Sequence, residues 1–282
     1  MADLWFAPAL THSAASLRAL LDRYQIDPRR SLGQNFVGDA NTVRRIARLA
    51  GVGPGDHVVE IGAGLGSLTL ALAETGASVV AVEIDADLTA VLTELVDGLD
   101  VSVVNADAAT LDWPALLGLV GNWHLVANLP YNVATPLVLD LLRDVPVIET
   151  MLVMVQREVG ERLAAGPGDT SVGIPSMIVA YHGRARIVGR VPASVFVPRP
   201  NVESVLVRVE RHERPPVAVP LAEIEPLVRK AFGQRRKMLR RSLAGTVTEG
   251  DFAAAGVDPT QRPQDLSIAD WGRLADQLRR GS

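Results

Sequence analysis

One short stretch decides the fold: Val59-Glu60-Ile61-Gly62-Ala63-Gly64-Leu65-Gly66. An apolar run leads into it, glycine then occupies every second position, and a helical pattern follows at 65–75. Glycine allows a sharp turn and lets a ligand come close to the backbone. The stretch therefore predicts a strand, a ligand-binding turn and a helix, which together form the first unit of an open α/β sheet.

Short strands alternate with helices around this stretch. Runs of Val, Ile and Leu without regular polar alternation are typical of parallel strands covered on both faces. Such runs lie at 58–61, 79–84, 101–105, 124–127 and 151–155, and helices are predicted at 11–26, 40–50, 65–75 and 135–143. Two later strand-like runs, 185–191 and 204–209, have no helix-length segment between them and are expected to pair antiparallel at the sheet edge. This arrangement is the class I methyltransferase variation on the doubly wound α/β fold.

The distribution of charge indicates two domains. Residues 1–203 contain 14 basic and 22 acidic residues, a net charge of −8, whereas residues 204–282 contain 14 and 10, a net charge of +4. An acidic catalytic domain with a basic docking domain is typical of an enzyme that acts on nucleic acid. We expect an N-terminal helical arm at 1–27, a domain with the methyltransferase fold at 28–212, a proline-rich linker at 213–220 and an all-helical docking domain for nucleic acid at 221–282.

The composition excludes several kinds of site and of protein. The chain has no cysteine, which excludes disulfides, thiolate metal sites and cysteine nucleophiles. No metal site is predicted. No basic segment precedes an apolar run near residue 1, so a signal peptide is not expected. Apolar runs also fall short of the roughly 20 residues that span a bilayer. We therefore expect a cytoplasmic protein that has no membrane partner.

Two acidic residues at the ends of the next predicted strands indicate which class of ligand binds. Glu83 ends the second strand, where a carboxylate can accept both hydroxyls of a ribose, and Asp107 lies just beyond the third, where it can accept an adenine amine. S-adenosylmethionine carries a sulfonium and an ammonium but no phosphate, so acids beside the turn favour it as the cofactor. A nicotinamide dinucleotide would suit Glu83 equally, and either acid could simply cap a strand or a helix. The cofactor residues predicted at this edge are Gly62, Gly64, Glu83, Ile84, Asp107 and Ala108.

The fourth predicted strand runs into Asn128-Leu129-Pro130-Tyr131, the predicted catalytic motif. An adenine amine is a poor nucleophile because its lone pair is delocalised into the ring. Two acceptors, the Asn128 side-chain oxygen and a backbone carbonyl, would draw the nitrogen towards a tetrahedral state through positioning and electrostatics. Pro130 stiffens the turn, and Tyr131 offers a ring on which a base can stack. The alternative is an ordinary proline turn after a strand.

Several strings together carry a family resemblance over nearly the whole chain. They are Leu32-Gly33-Gln34-Asn35-Phe36, the glycine stretch 59–66, Val82-Glu83-Ile84-Asp85, the motif 128–131, Phe196-Val197-Pro198-Arg199-Pro200-Asn201-Val202 and Ala231-Phe232-Gly233-Gln234-Arg235-Arg236-Lys237-Met238-Leu239-Arg240. With them the chain resembles the small-subunit ribosomal RNA adenine dimethyltransferases, and more distantly the erythromycin-resistance methyltransferases and the mitochondrial transcription factor B proteins.

The resemblance implies the roles of further residues. Those implied to line the S-adenosylmethionine pocket are Asn35, Val37, Gly62, Glu83, Asp107 and Asn128. Phe196 would cover the target adenine on the face opposite Tyr131. A core aromatic at a strand end is the alternative for Phe196.

The segment 229–241 contains seven basic residues and no acid. Read as one helix, it places Arg229, Arg236 and Arg240 on one line, which favours contacts with phosphates over a merely solvated face. A second basic group lies at 29–48. The predicted RNA-binding residues are Arg29, Arg30, Arg229, Lys230, Arg236, Lys237, Arg240 and Arg241.

The resemblance implies dimethylation at N6 of two adjacent adenines near the 3′ end of 16S ribosomal RNA, within an immature small subunit. The enzyme is expected to be a monomer that flips the base out of its stack. Three alternatives are a large-subunit methyltransferase that confers antibiotic resistance, an assembly factor whose binding outweighs its chemistry, and a nicotinamide dehydrogenase. The basic C-terminal segment argues against the first alternative, the intact motif 128–131 against the second, and the lack of a hydride-transfer partner against the third.

Overall fold

The computed structural model describes residues 11–29 and 32–281. The predicted arm at 1–27 is therefore described from residue 11 onwards, and the predicted RNA-binding residue Arg30 lies outside the described residues. No described helix is long and apolar enough to cross a membrane.

Parallel strands form most of the central sheet. Its strands are β2 (His57–Ile61), β3 (Ser78–Glu83), β4 (Val101–Asn105), β5 (Trp123–Asn128), β6 (Ile148–Gln156), β7 (Gly183–Val191) and β9 (Ser204–Arg211), and a separate short antiparallel pair consists of β1 (Phe36–Val37) and β8 (Phe196–Val197). The order across the sheet is β4-β3-β2-β5-β6-β9-β7. Strands β2 to β6 pair in parallel. The predicted parallel sheet is confirmed.

The last two strands of the sheet run in opposite directions. The start of β7 faces the end of β9, where His212 N donates to His182 O at 2.9 Å. Towards the end of β7, Gly189 packs against Leu206, which lies early in β9. This confirms the predicted antiparallel pair.

Most of the helices connect strands, as the α/β pattern predicts, but the first precedes β1 and the last four follow β9. They are α1 (Ala14–Arg23), α2 (Ala40–Ala50), α3 (Ser67–Ala73), α4 (Ala86–Leu95), α5 (Trp113–Leu117), α6 (Ala134–Asp144), α7 (Arg157–Leu163), α8 (Ile174–His182), α9 (Leu221–Phe232), α10 (Leu239–Ser242), α11 (Glu249–Ala255) and α12 (Ile268–Gly281). Two of them start later than predicted. Ser13 caps α1 in a capping box with Ser16, and α3 begins only after Gly66, whose φ of +81° is left-handed.

Helix α1 packs against the glycine-rich turn. Leu17 and Leu21 share one buried cluster with Phe36, Leu65 and Leu88. Burying such side chains contributes roughly 1.5–3 kcal/mol each. The described part of the predicted N-terminal arm thus contributes to the packing around the turn.

The chain divides into two compact units that do not coincide with the predicted domains. One comprises the described part of Met1–Arg157 together with Ile187–Arg208, and the other Glu158–Arg186 with the described part of Val209–Ser282. The second unit has its own core, in which Val172 and Met177 share one buried cluster with residues of α9 and α12. The predicted boundaries at 212 and 221 remain predictions.

The basic segment 229–241 is not one helix, contrary to our prediction. Helix α9 ends at Phe232, turns follow, and α10 begins only at Leu239. The physical reason is core packing, since Leu239 is fully buried and its N–H donates to Gln261 O at 2.8 Å. A continuous helix could not make this bond, because its N–H groups donate to carbonyls four residues earlier. The predicted alignment of Arg229 with Arg236 and Arg240 is therefore wrong.

Candidate active site

Four adjacent parallel strands end at one edge of the sheet, and the residues there line a cavity of about 280 Å³. In sheet order the strand ends contribute Asp107, Glu83, Gly62 and Asn128. Open α/β sheets bind ligands at this edge. Every residue predicted to bind the cofactor lines the cavity, as do four predicted catalytic residues: Asn35, Val37, Gly62, Gly64, Glu83, Ile84, Asp107, Ala108, Asn128, Leu129, Pro130 and Tyr131.

The ionisable side chains that line the cavity are all acidic. Glu60, Glu83, Asp107 and Asp140 line it, and within 11–29 and 32–281 no Lys or Arg does. A pyrophosphate would add negative charge beside the exposed carboxylates of Asp107 and Asp140, whereas a sulfonium and an ammonium would be attracted to them. The lining therefore fits S-adenosylmethionine and disfavours the nicotinamide dinucleotide considered above.

The glycine-rich turn has the conformation that its sequence predicts. Gly62, Gly64 and Gly66 have φ angles of +74°, +57° and +81°, which are left-handed and favour glycine. A Cβ atom on Gly64 would lie 2.9 Å from Cε1 of Phe36. Any other residue at position 64 would therefore strain the backbone and displace the Phe36 ring.

Glu83 ties this turn to the end of β3. Its carboxylate is buried and accepts hydrogen bonds from Gly64 N at 2.8 Å and from Asp85 N at 3.0 Å. Burial raises the pKa of Glu83, and the backbone N–H groups of Asp85, Gly64 and Ile84 oppose the rise. The carboxylate retains capacity for a further donor, since it has about four acceptor positions.

Asp107 fits both roles considered for it, a capping residue and a ligand of the cofactor's adenine. Its Oδ1 accepts from Ala109 N at 2.9 Å, as a capping residue would. The side chain is nevertheless exposed and lines the cavity. No hydrogen bond to its Oδ2 is found within the described residues, so this atom is available to a ligand.

The structure holds the Asn128 amide in one orientation. Its Nδ2 donates to the Asn35 carbonyl at 3.0 Å, and Asn35 Nδ2 in turn donates to Gly33 O at 2.9 Å. Because the Asn128 side-chain nitrogen donates to Asn35, the side-chain Oδ1 is the atom available to accept a hydrogen bond from a ligand. Among the described residues no donor bonds this oxygen, and Asn128 lines the cavity.

The carbonyl groups that follow Asn128 differ in availability. Pro130 O accepts from Val133 N at 3.2 Å and from Ala134 N at 3.1 Å, at the start of α6. Leu129 O has no backbone donor within the described part of the chain. Of these two carbonyls, the one without a backbone donor is therefore that of Leu129, which directly follows Asn128 in the chain.

Tyr131 is held by its hydroxyl. The hydroxyl oxygen lies 2.8 Å from Oγ of Ser204, a fully buried residue at the start of β9. Burial raises the pKa of Tyr131, and the bond with Ser204 opposes the rise. The hydroxyl therefore stays neutral near pH 7, and the bond limits rotation of the ring.

Phe196 does not line the cavity, contrary to its predicted position opposite Tyr131. It pairs with Val37 in the short sheet formed by β1 and β8. Its side chain is 4% exposed and lies in the same hydrophobic cluster as Val37, Ile46 and Leu206. The alternative that we considered, a core aromatic at a strand end, describes this position.

Glu60 belongs to the site, although we did not assign it a role from the sequence. It is 1% exposed, lines the cavity and accepts from Thr69 Oγ1 at 2.6 Å. Burial raises the pKa of the Glu60 carboxyl to about 8. Its position within the glycine-rich stretch 59–66 could have indicated from the sequence that Glu60 lies at the site.

Two further polar residues around the glycine-rich turn were not predicted. Ser67 lines the cavity and is buried, and within the described residues its Oγ has no hydrogen-bond partner. A ligand can satisfy such an atom, which fits a polar cofactor in this cavity. His12 is buried and its Nε2 lies 2.9 Å from Leu65 O. No pattern in the sequence indicates this contact.

The predicted RNA-binding residues fall into two groups. Arg29 pairs with Asp85 and Asp87 at 3.2 and 2.9 Å, Arg229 pairs with Glu225, and Lys230 donates to Ala244 O at 3.2 Å and to Thr246. The second group is exposed, and within the described residues its side chains make no hydrogen bond and no ion pair within 4 Å: Arg236, Lys237, Arg240 and Arg241. Arg240 is near enough to Asp258 to help lower the pKa of that carboxyl. The second group is therefore the better candidate for phosphate contacts.

Comparison with known proteins identifies the family. A sequence model of the ribosomal RNA adenine dimethylases matches residues 26–280. The chain belongs to the ribosomal RNA adenine dimethylase family. It is therefore a ribosomal RNA methyltransferase, an enzyme that uses S-adenosylmethionine.

Curated relatives and solved structures agree with this assignment. The chain is 48% identical to a ribosomal RNA small subunit methyltransferase A of Kineococcus radiotolerans, with 93% of this chain and 90% of the relative covered. It is 47% identical to the protein of that name from Nocardia farcinica, with 93% and 94% covered. The crystal structure of the 23S rRNA methyltransferase ErmE shares 27% identity and a TM-score of 0.69 over 86% of this chain and 99% of that one.

A second solved structure supports the fold alone. The dimethyladenosine transferase from Plasmodium falciparum superposes with a TM-score of 0.72 at 22% identity, over 86% of this chain and 96% of that one. The predicted class I methyltransferase fold with a helical C-terminal part is confirmed.

Proposed function

We propose that this enzyme dimethylates N6 of two adjacent adenines near the 3′ end of 16S ribosomal RNA, within an immature small subunit. The relatives at 47–48% identity are named for the small subunit, and the large-subunit enzyme ErmE shares only 27%. We further propose that it works in the cytoplasm as a monomer.

The orientation of the Asn128 amide carries the proposed chemistry. With Nδ2 donating to the Asn35 carbonyl, Oδ1 of Asn128 accepts one hydrogen of the target amine and the Leu129 carbonyl accepts the other. Two acceptors on one nitrogen draw it towards a tetrahedral geometry, which takes its lone pair out of conjugation with the ring. Hydrogen bonds of this kind stabilise the transition state most strongly where water is excluded. The acceptors are also already oriented, so they need no reorganisation during the reaction.

Tyr131 holds the flipped base. Its ring offers a stacking face, and the bond between its hydroxyl and Ser204 limits rotation of the side chain. Flipping is required because the amine cannot reach a cofactor from inside a stacked helix.

The acidic residues hold the cofactor. Glu83 accepts the ribose hydroxyls while its bonds to Gly64 and Asp85 fix it in place. Asp107 accepts the adenine amine through Oδ2, and Ser67 donates to the amino-acid end. When bound, S-adenosylmethionine supplies the electrophilic methyl group. The amine proton becomes strongly acidic after transfer, so no residue has to remove it beforehand.

A methyl-transfer assay tests the substrate. Tritiated S-adenosylmethionine is offered with naked 16S RNA, with small subunits that lack the modification, and with large subunits. We expect label in the small subunits, at two adjacent adenines and four methyl groups per subunit. Label in large-subunit RNA alone would overturn the proposal. Binding to small subunits without label would instead indicate an assembly factor.

A further inference from the structure

The segment 32–35 connects the cofactor side of the cavity with the catalytic motif. Gly33 has a φ of +66°, and a Cβ atom there would lie 3.1 Å from Pro130 Cβ. Two residues later, the Asn35 carbonyl accepts the Asn128 amide at 3.0 Å. The position of this segment thus determines which atom of Asn128 is left free.

Gln34 anchors the segment through both atoms of its side-chain amide. Its Oε1 accepts from Arg29 N at 2.7 Å, and its Nε2 donates to Asp85 Oδ2 at 2.9 Å. These bonds connect the segment to the chain that precedes it and to the start of α4.

Asp85 is a firm attachment point for this anchor. It is 3% exposed, and its Oδ1 accepts from Asp87 N at 3.2 Å as the cap of α4. Its Oδ2 also lies 3.2 Å from Nη1 of Arg29, which balances the buried charge. Buried carboxylates that are paired and fully bonded are held in one geometry.

We propose that Gln34 and Asp85 are positioning residues for methyl transfer: they hold segment 32–35 so that the Asn35 carbonyl keeps Asn128 Oδ1 available to the target amine. The proposal rests on the proposed role of Asn128. It also reassigns Arg29, whose guanidinium is engaged by Asp85 and Asp87, from a predicted RNA contact to the support of this anchor.

Single substitutions test the anchor. Gln34→Ala removes both bonds, and Asp85→Asn removes the charged acceptor while keeping a side chain that caps helices well. We expect each to lower the single-turnover methylation rate by about tenfold or more at saturating cofactor and small subunit, as expected for a lost bond to a charged group. A role limited to cofactor affinity would raise the cofactor Kd and leave the saturated rate unchanged.

A paired exchange separates positioning from misfolding. Gln34→Glu alone brings two carboxylates together and should lower the rate at least as much as Gln34→Ala. Combined with Asp85→Asn it restores a donor–acceptor pair with the polarity reversed, and we expect the double variant to recover most of the rate. Asp97→Asn, an exposed acid just beyond the other end of α4, is the matched control and should match the wild type.

Amide hydrogen exchange in the free enzyme gives a readout independent of RNA. Peptides that cover 32–37 should exchange faster in both single variants and return to the wild-type rate in the double variant. The proposal is overturned if the single variants keep the saturated rate, or if a folded double variant recovers neither rate nor protection. A wild type that methylates no small subunits defeats the proposed substrate instead, and the exchange measurement still decides whether the anchor exists.

Discussion

At the scale of single residues, the site depends on polar atoms that the fold has oriented before any ligand arrives. Asn128 donates to Asn35, Glu83 accepts from two backbone N–H groups, and Tyr131 bonds Ser204. Orientation in advance lowers the cost of reaching the transition state. Three predictions concern such residues.

Asn128→Ala should lower turnover by about 10²–10³-fold and leave the cofactor Kd within about tenfold. Losing an acceptor that acts in the transition state costs roughly 2.7–4 kcal/mol in comparable sites. The measurement is single-turnover methylation together with calorimetric titration of the cofactor. Asn41→Ala, in an exposed position of α2, serves as the control. A near wild-type rate in the Asn128 variant would remove this residue from the chemistry.

Glu83→Gln should weaken cofactor binding by about 1–3 kcal/mol, because hydrogen bonds to a charged group contribute about that much. The new side-chain amide would also turn its NH₂ group towards one of the backbone N–H groups, of Gly64 or Asp85, that now donate to Glu83. Affinity for the ribosomal substrate should hardly change. Titration with cofactor and with small subunits checks both statements, and an unaltered cofactor Kd would exclude Glu83 from the site.

Glu60→Gln should stabilise the cofactor-free protein increasingly as pH rises from about 5 to 8. Glu60 loses its proton near pH 4.5 in the unfolded chain but only near pH 8 in the folded protein. Between these values the folded state binds the extra proton, so its free energy of unfolding falls with pH, by at most about 1.4 kcal/mol per pH unit.

Glutamine carries no such proton, so the variant lacks this decline. Denaturant unfolding of both proteins at several pH values checks the sign. A stability difference that stays constant between pH 5 and 8 would show that the pKa of Glu60 is not raised in the folded state.

At the scale of elements, the basic surface of the C-terminal part is shaped by a helix break. Because α9 ends at Phe232 and α10 starts at Leu239, Arg236 and Lys237 lie in the intervening turns and Arg240 and Arg241 in α10. Arg229 and Lys230 remain in α9 with partners from the same unit. The two groups make a matched comparison.

Replacing Arg236 and Arg240 together with Ala should weaken binding to small subunits and flatten its salt dependence. Each lost phosphate contact should reduce the log–log salt slope by roughly 0.7–0.9. Arg229→Ala with Lys230→Ala removes the same charge from residues that have internal partners, and should leave the slope nearly unchanged. Cofactor affinity should stay the same in both variants.

Melting temperature must be followed in parallel, since misfolding removes active protein without changing the slope. An unchanged slope in a folded Arg236 and Arg240 variant would mean that these turns are a solvated face. The docking surface would then have to be sought elsewhere on the molecule.

At the scale of the whole molecule, one compact unit contains residues from both sides of the predicted linker at 213–220. Residues 158–186 belong to the same unit as the C-terminal helices, where Val172 and Met177 are buried in a shared core. In the sequence, α7 and α8 lie between two strands of the sheet, and nothing in the pattern indicates that they pack with the C-terminal helices. A domain boundary drawn at 212 separates this stretch from its packing partners.

A chain that ends at residue 212 should therefore be unstable. Truncation would expose Val172 and Met177, which are 0% and 2% exposed in the whole chain, and large apolar surfaces promote aggregation. We expect a lower melting temperature and loss of soluble protein, measured by thermal unfolding and light scattering. A truncated chain that melts like the full protein and binds cofactor would support the predicted boundary.

Local sequence determined the parts of this protein that depend on neighbouring residues. The stretch 59–66 predicted a strand, a left-handed glycine turn and a helix, since backbone freedom at glycine is a local property. Glu83, Asp107 and Asn128 could be assigned to one edge because parallel strands end together.

Only the tertiary structure decided what depends on residues distant in sequence. It buried Phe196 against Val37, broke the basic helix so that Leu239 could enter the core, and paired Arg29 with Asp85. Helical periodicity depends only on the residues of one segment. It cannot predict a hydrogen bond to a distant acceptor, such as the bond from Leu239 N to the Gln261 carbonyl that ends the predicted helix. The free atom of Asn128 likewise depends on Asn35, 93 residues earlier, a contact that exists only once the chain has folded.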